Sequence, residues 1–272
     1  MSIVAISETA GSLGNEIGRR LAETLGWSFA DREIIAKAAE RSGADIAEVR
    51  HGAEEKPSLW ERLTDSQHRY RTFVEASVFD LASRDNIVLA GLASALMLRG
   101  VRHVLRARTN ASEHERAYRL QQQQGLTAEA ALDLVRHSDR ERAARVKFLY
   151  QVDVDDPLLY DLVLNTDRMS VERGARLLRE AVEDERFQPS PESRADLADR
   201  NTTIQAKALF LANPVLADTT LSLLCRQGQV SVAGIVRSIE ERRTAEEVLR
   251  SVPGVTAVVN EIAISSPTRG RP

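Results

Sequence analysis

The chain opens with a short apolar run, Ser2-Ile-Val-Ala-Ile-Ser7, which passes through a glycine-bearing turn into Glu16 to Leu25. There Ile17, Leu21 and Leu25 recur at helical spacing. A strand, a glycine turn and a helix in that order define an α/β unit. Such a turn places backbone N–H groups and the positive end of a helix dipole at one point, which suits a phosphate. Further along, Asn86–Ala90, Arg102–Arg106 and Leu159–Leu164 read as buried strands with helical stretches between them. The fold class expected is α/β: a mostly parallel sheet with helices on both faces.

With 272 residues, one large or two unequal domains are expected. Gln188-Pro-Ser-Pro-Glu-Ser-Arg-Ala-Asp-Leu-Ala-Asp-Arg200 carries two prolines and many charges without a sustained apolar period, the composition of a linker. The division expected is 1–187, a linker at 188–200, a small second domain at 201–265 and a tail at 266–272. Few apolar residues in 190–200 could bind the halves, so each is expected to fold alone. The second domain reads as αββαβ: a short helix at Ile204–Ala212, strands at Thr219–Arg226 and Gln229–Val236, a helix at Glu240–Ser251 and a last strand at Val255–Ile264.

Aromatic residues make up only 4% and the net charge is -3, so platforms and charge for nucleic acid are lacking. The most apolar window, Ile87–Leu98, is too short to span a bilayer. The single Cys225 lies in an apolar run and reads as a reduced buried thiol. No signal peptide is recognisable. The expectation is a cytoplasmic protein with no transmembrane segment and no nucleic-acid partner. His51, His68, His103, His114 and His137 show no zinc spacing, and no metal site is expected.

In the turn itself, Glu8-Thr-Ala-Gly-Ser-Leu-Gly-Asn-Glu-Ile-Gly18, the Walker spacing is not met in either register, and the lysine is missing from both. Cationic residues concentrate elsewhere. Residues 99–147 hold eleven Lys/Arg against six Asp/Glu, and arginines on a lid are what phosphoryl transfer needs, because its catalysis is mainly positioning and charge neutralisation.

Gly11-Ser12, Gly14, Glu16-Ile17-Gly18 and Asp31-Arg-Glu-Ile-Ile35, together with Val88-Leu-Ala-Gly91, Asp139-Arg-Glu-Arg142, Asp153-Val-Asp-Asp-Pro157 and Leu159-Tyr-Asp-Leu-Val-Leu-Asn-Thr166, follow one another over some 180 residues. In order and spacing this resembles the cytidylate-kinase-like family of P-loop nucleotide kinases. The resemblance implies ATP-dependent phosphoryl transfer to a CMP-like nucleoside monophosphate, with Mg2+ bound mainly through the nucleotide. It implies Gly11, Ser12, Gly14 and Asn15 around the ATP phosphates, Asp31, Arg32 and Gly91 on the acceptor side, and Arg142 with Arg140, Arg145 and Asp139 as the lid's catalytic group. Asn165-Thr166 would line the base end, and Asp161 would make a structural contact.

The chain departs from the family's usual loop in carrying Glu8 for an arginine and Leu13 for a glycine, and in having Leu92 where an arginine often follows the second strand. A weak or inactive nucleotide sensor is therefore the alternative. Finally, Thr203-Ile-Gln-Ala-Lys207, Gly228-Gln-Val-Ser-Val-Ala-Gly-Ile-Val236 and Val252-Pro-Gly-Val-Thr-Ala-Val-Val-Asn-Glu-Ile262 resemble a BON domain. That resemblance implies a lipid, small ligand or protein partner. The balanced charge of 201–265 gives little pull to an anionic membrane, and favours a packing or oligomerisation module.

Overall fold

The computed structural model describes residues 2–31, 66–84, 86–91 and 93–265. Five parallel strands form the main sheet: β1 (Ile3–Glu8), β2 (Ser28–Ala30), β3 (Ile87–Ala90), β4 (Val104–Asn110) and β5 (Leu162–Asn165), in the spatial order β2-β3-β1-β4-β5. The helices are α1 (Gly14–Leu25), α2 (Ser66–Ala82), α3 (Ser94–Met97), α4 (Glu113–Gln124), α5 (Ala128–Tyr150) and α6 (Val171–Val182). Alternation along the strands feeds two cores. Ile3, Ala5, Ile87 and Leu89 face one that includes Phe73 and Leu81 of α2. Val4, Ile6, Val88 and Leu105 face the other, built with Ile17 and Leu21 of α1 and Leu178 of α6. The two-residue period of a strand thus supplies one apolar side chain to each face in turn, which is why β1 is buried from Ile3 to Ser7 and β3 throughout.

β1 lies between β3 and β4, so the chain runs to one side of it first and to the other side later. The crevice at the C-terminal end of β1 is therefore the switch point of the sheet, where open α/β folds bind ligands.

Two expectations need correction. β4 was expected at Arg102–Arg106, but the strand is Val104–Asn110, because Arg108 and Thr109 are buried in it and mask its apolar alternation. More consequentially, the expected linker is mostly helix: α7 (Pro191–Ala212) runs without a break through 191–200. Ser190 and Ser193 form a reciprocal capping box and Pro191 stands at the first turn, both features that start helices. α7 lies along α2, with Gln205 Nε2 donating to the Ala76 carbonyl at 2.8 Å. Leu197, Ile204 and Ala208 join the core of the large unit, while Ala206 and Phe210 join that of the small one.

The small unit continues with β6 (Leu221–Arg226), β7 (Gln229–Val236), α8 (Ile239–Ser251) and β8 (Ala257–Ile264). β6 and β7 form an antiparallel hairpin, and β8 lies parallel to β7. Asp199 of α7 ties the hairpin down by accepting from the amides of Gln227 and Gly228 at 2.8 and 3.1 Å. Cys225 is buried against the same carboxylate, and burial with that neighbouring charge pushes its thiol up to about 11. No helix of the described residues is long and apolar enough to cross a membrane.

Candidate active site

Two cavities meet at the C-terminal end of β1. The first, about 430 Å3, is walled by Val74 of α2, Leu96 and Met97 of α3, and Val146 and Leu149 of α5, with Arg71, Glu141, Arg142 and Arg145 supplying charge. Ser7, Glu8 and Gly91 form its floor at the strand ends. The second, about 310 Å3, is lined mostly by polar and charged side chains and lies beyond the ends of β4 and β5, between Thr9, Asn110, Arg108, Arg116, Asp139 and Asp155. Arg142 lines both. Its Nη2 donates to Ser7 Oγ at 3.2 Å. Burial and the nearby Arg108 hold the Arg142 guanidinium below its ordinary value, while Glu8 pulls the other way.

The other expected lid residues separate. Arg145 reaches the first cavity. Arg140 is exposed, donates from Nε to the Arg136 carbonyl at 3.2 Å and lines neither cavity. Asp139 does border the second cavity, but its carboxylate is taken by both terminal nitrogens of Arg116, at 2.9 and 2.6 Å. Arg116 is buried and also donates to the carbonyls of Ala111 and Ala10, so the pair clamps α5 to the glycine turn and to the end of β4.

The turn is built from its own side chains. Ser12 Oγ accepts from the Thr9 amide at 3.2 Å and bonds Thr109 Oγ1 at 3.0 Å. Gly11 has φ +76°, and a Cβ there would stand 2.7 Å from the Arg116 carbonyl oxygen. Leu13 takes the left-handed conformation, φ 62°, at the start of α1. Its backbone thus keeps a shape suited to glycine while bearing a side chain. Glu8 folds back over the start of the helix: Oε2 accepts from the Asn15 amide at 2.8 Å and Oε1 from Asn15 Nδ2 at 2.6 Å. Burial raises its carboxyl above the usual range, opposed by Arg142 and the Asn15 amide and assisted by Glu16 and Asp31. Asn15 Oδ1 is buried with no partner among the described residues. A phosphate in this loop needs donors, and with Glu8 seated both N–H donors of Asn15 are taken, while a carboxylate and a bare carbonyl oxygen stand beside the helix start. They do not fit a phosphate there in that state.

On the acceptor side, Gly91 lines the first cavity, Asp31 follows β2 and lies near enough to Glu8 to act on its charge, and Arg32 lies outside the described residues. Thr166 is buried under the loop, donating to the Ser12 carbonyl at 3.0 Å. Asn165 accepts from the Asp167 amide, which is turn chemistry. Asp161 makes the structural contact expected of it, pairing with the Arg106 side chain and accepting from the Arg106 amide. Among the described residues no group of three His, Cys, Asp or Glu could hold a metal ion.

Four site residues escaped the sequence reading: Arg71, Arg108, Arg116 and Glu141. The basic run 99–147 contains three of them, but period alone does not say which of its charges point inward. Arg108 is the clearest signal available, a cation inside a strand; it is buried and pairs with Asp155 and Tyr160.

A five-stranded parallel sheet with this strand order, a glycine turn after β1 and arginines gathered at its switch point define a kinase-like α/β fold. The family model described as "Cytidylate kinase-like family" matches residues 3–168, and the chain belongs to that family. A BON domain model matches residues 198–266, which takes in α7 from Ala198 onward. Among curated proteins, the cytidylate kinase of Pyrobaculum calidifontis is 27% identical over 178 residues, 65% of this chain and 90% of that protein. That of Natronomonas pharaonis is 29% identical over 182 residues, 66% and 88% respectively. A solved structure of an uncharacterized protein from Eubacterium ventriosum ATCC 27560 shares the fold at 17% identity and a TM-score of 0.54, covering 67% of this chain and 98% of that one.

Proposed function

We propose that the chain is a nucleotide kinase-like protein whose first cavity takes a nucleoside monophosphate of the CMP type, with ATP-dependent phosphoryl transfer as its activity. The observation that carries this reading is Arg142, standing between the two cavities beside Ser7 at the end of β1. A fixed cation at the meeting point of two anionic ligands neutralises charge where it changes most. The names of the archaeal relatives support the same substrate class. Mg2+ would arrive with the nucleotide. One observation favours the second reading, a catalytically weak or inactive sensor whose C-terminal unit binds a lipid, a small ligand or a protein: the seat of Glu8 in the loop. A coupled ADP-release assay over a panel of nucleoside monophosphates, with CMP binding followed by calorimetry, separates the two. CMP that binds without ADP release in its presence sinks the transferase reading and leaves the sensor.

Within the lid, Arg142→Ala is expected to lower turnover at least tenfold, and Arg140→Ala to leave it within about twofold, because only the first faces the cavities. Equal losses in both would remove Arg142 from its assigned role.

Glu141 supplies a test of the acceptor. It is buried on the wall of the first cavity, and its Oε2 has no hydrogen-bond partner among the described residues. An unsatisfied buried acceptor costs about 1–3 kcal/mol, which a ligand N–H recovers. The cytosine amino group is such a donor, whereas uracil offers a carbonyl in its place. Glu141→Gln, whose amide serves either partner, is expected to narrow the preference for CMP over UMP by roughly tenfold, read as the ratio of calorimetric affinities. An unchanged ratio would place the base elsewhere.

A further inference from the structure

We propose that Glu8 is the resident anion of the glycine turn, a built-in occupant that must leave before a phosphate of ATP can enter. The inference builds on the kinase-like reading above and goes past it, since it makes one side chain the determinant of which phosphate ligands the loop accepts. The carboxylate takes two N–H donors of Asn15, one of them the backbone amide at the start of α1 that would otherwise meet a ligand. It also fills the space over Gly14: a Cβ at that glycine would stand 2.5 Å from Glu8 Oε2 and 2.5 Å from Glu8 Cβ, with Thr109 Oγ1 at 2.6 Å on another side. That room is small, and the side chain already uses it.

The charges around the seat oppose a second anion. Arg142 of α5 is the cation that acts most on Glu8, Glu16 of α1 and Asp31 after β2 are like charges, and Arg71 of α2 with His137, Glu141 and Arg145 of α5 share the cavity wall with it. Asn15 Oδ1 adds a buried oxygen with no partner among the described residues. A phosphate beside an ionised Glu8 would compete with it for Arg142, with the carboxylates of Glu16 and Asp31 nearby. When Glu8 takes a proton from solvent, the carboxylate becomes a neutral acid, its charge no longer competes for Arg142, and the Asn15 amide loses a charged acceptor. Burial raises the Glu8 carboxyl above its ordinary value and so eases that protonation. Entry of an anion is therefore coupled to uptake of one proton, and anion affinity rises as pH falls.

The test uses the full chain and two probes: ATP with Mg2+, and inorganic sulfate, whose own charge does not change between pH 6.0 and 7.5. Calorimetric titrations are made on the parent, Glu8→Gln and Glu8→Ala, with thermal melts to confirm folding. The parent should bind ATP at least tenfold more weakly than either folded variant, about 1.4 kcal/mol. Its sulfate affinity should rise from pH 7.5 to 6.0, a slope absent from the variants. The parent's slope needs no substitution, so the proposal stays open to refutation even if a variant misfolds. Parent affinity for ATP equal to that of the variants, or a flat sulfate profile in the parent, overturns it. CMP is titrated separately. If CMP fails to bind while the ATP and sulfate results hold, the monophosphate reading falls and the resident carboxylate stands.

Discussion

A chain ended at Gln188 is expected to lose much of the stability of its α/β unit, although the excised segment reads as a separate domain. Leu197 and Ile204 of α7 are 4% and 8% exposed in the core that also holds Phe73, Leu89 and Ile3. Full burial of a Leu or Ile side chain contributes about 1.5–3 kcal/mol, so removing these two costs roughly 3–6 kcal/mol. Domains of this size are stable by only about 5–15 kcal/mol. The truncation also uncovers the apolar stripe of α2, on which α7 lies, and frees the Ala76 carbonyl bound by Gln205. Urea and thermal melts of the truncated and full chains measure the difference. A truncated chain that melts within about 2 °C of the large unit in the full chain would show that α7 adds nothing to that core. Independent folding of the two halves, expected from the polar character of 190–200, would then be restored.

Asp139→Ala should be the most damaging single substitution among Asp139, Arg140, Arg142 and Arg145 of α5, and through folding before chemistry. The Arg116 side chain is only 4% exposed and gives both terminal nitrogens to Asp139. Removing the carboxylate leaves a buried guanidinium without its counter-charge, a change that costs about 3–5 kcal/mol when both partners are inaccessible. Asp139 is 32% exposed, and water reaching the site lowers the expectation to about 2–4 kcal/mol. In a unit of this size that is a fall in melting temperature of roughly 5–15 °C. Adding Arg116→Met to Asp139→Ala should recover part of the loss, because the stranded charge is gone. A clamp predicts a lower melting temperature and partial rescue by the second substitution. If Asp139→Ala melts like the parent and loses activity alone, Asp139 is catalytic and the clamp is refuted.

The elements legible in the sequence were those whose evidence is local. β1, the glycine turn and α1 follow from an apolar run, small residues and a helical period within 25 positions. β3, β6, β7, α8 and β8 were recognisable for the same reason, within a residue or two of their ends. α7 was misread although its signals were present. Ser190-Pro191 starts the helix, but two prolines and alternating charges look like punctuation when only Ser193 and Leu197 are buried in its first ten residues. A helix with one sparse contact stripe has little period to display. β2, three residues long, has none.

For the candidate site, the residue types were legible and their partners were not. The sequence alone shows that an acid stands at position 8, that the Walker lysine is missing and that arginines crowd 99–147. Those facts point to the end of the first strand as the candidate site. Only the tertiary structure decides that Glu8 turns onto Asn15, that Arg142 comes to Ser7 across 135 positions, and that Arg116 takes the Asp139 carboxylate. The reason is physical. Helical period and glycine dihedrals are set within a few bonds, whereas the distance from α5 to the end of β1 is set by how β1, β3 and β4 stack and by which cores their alternate faces fill. A guanidinium on α5 finds its neighbour only after that packing is complete.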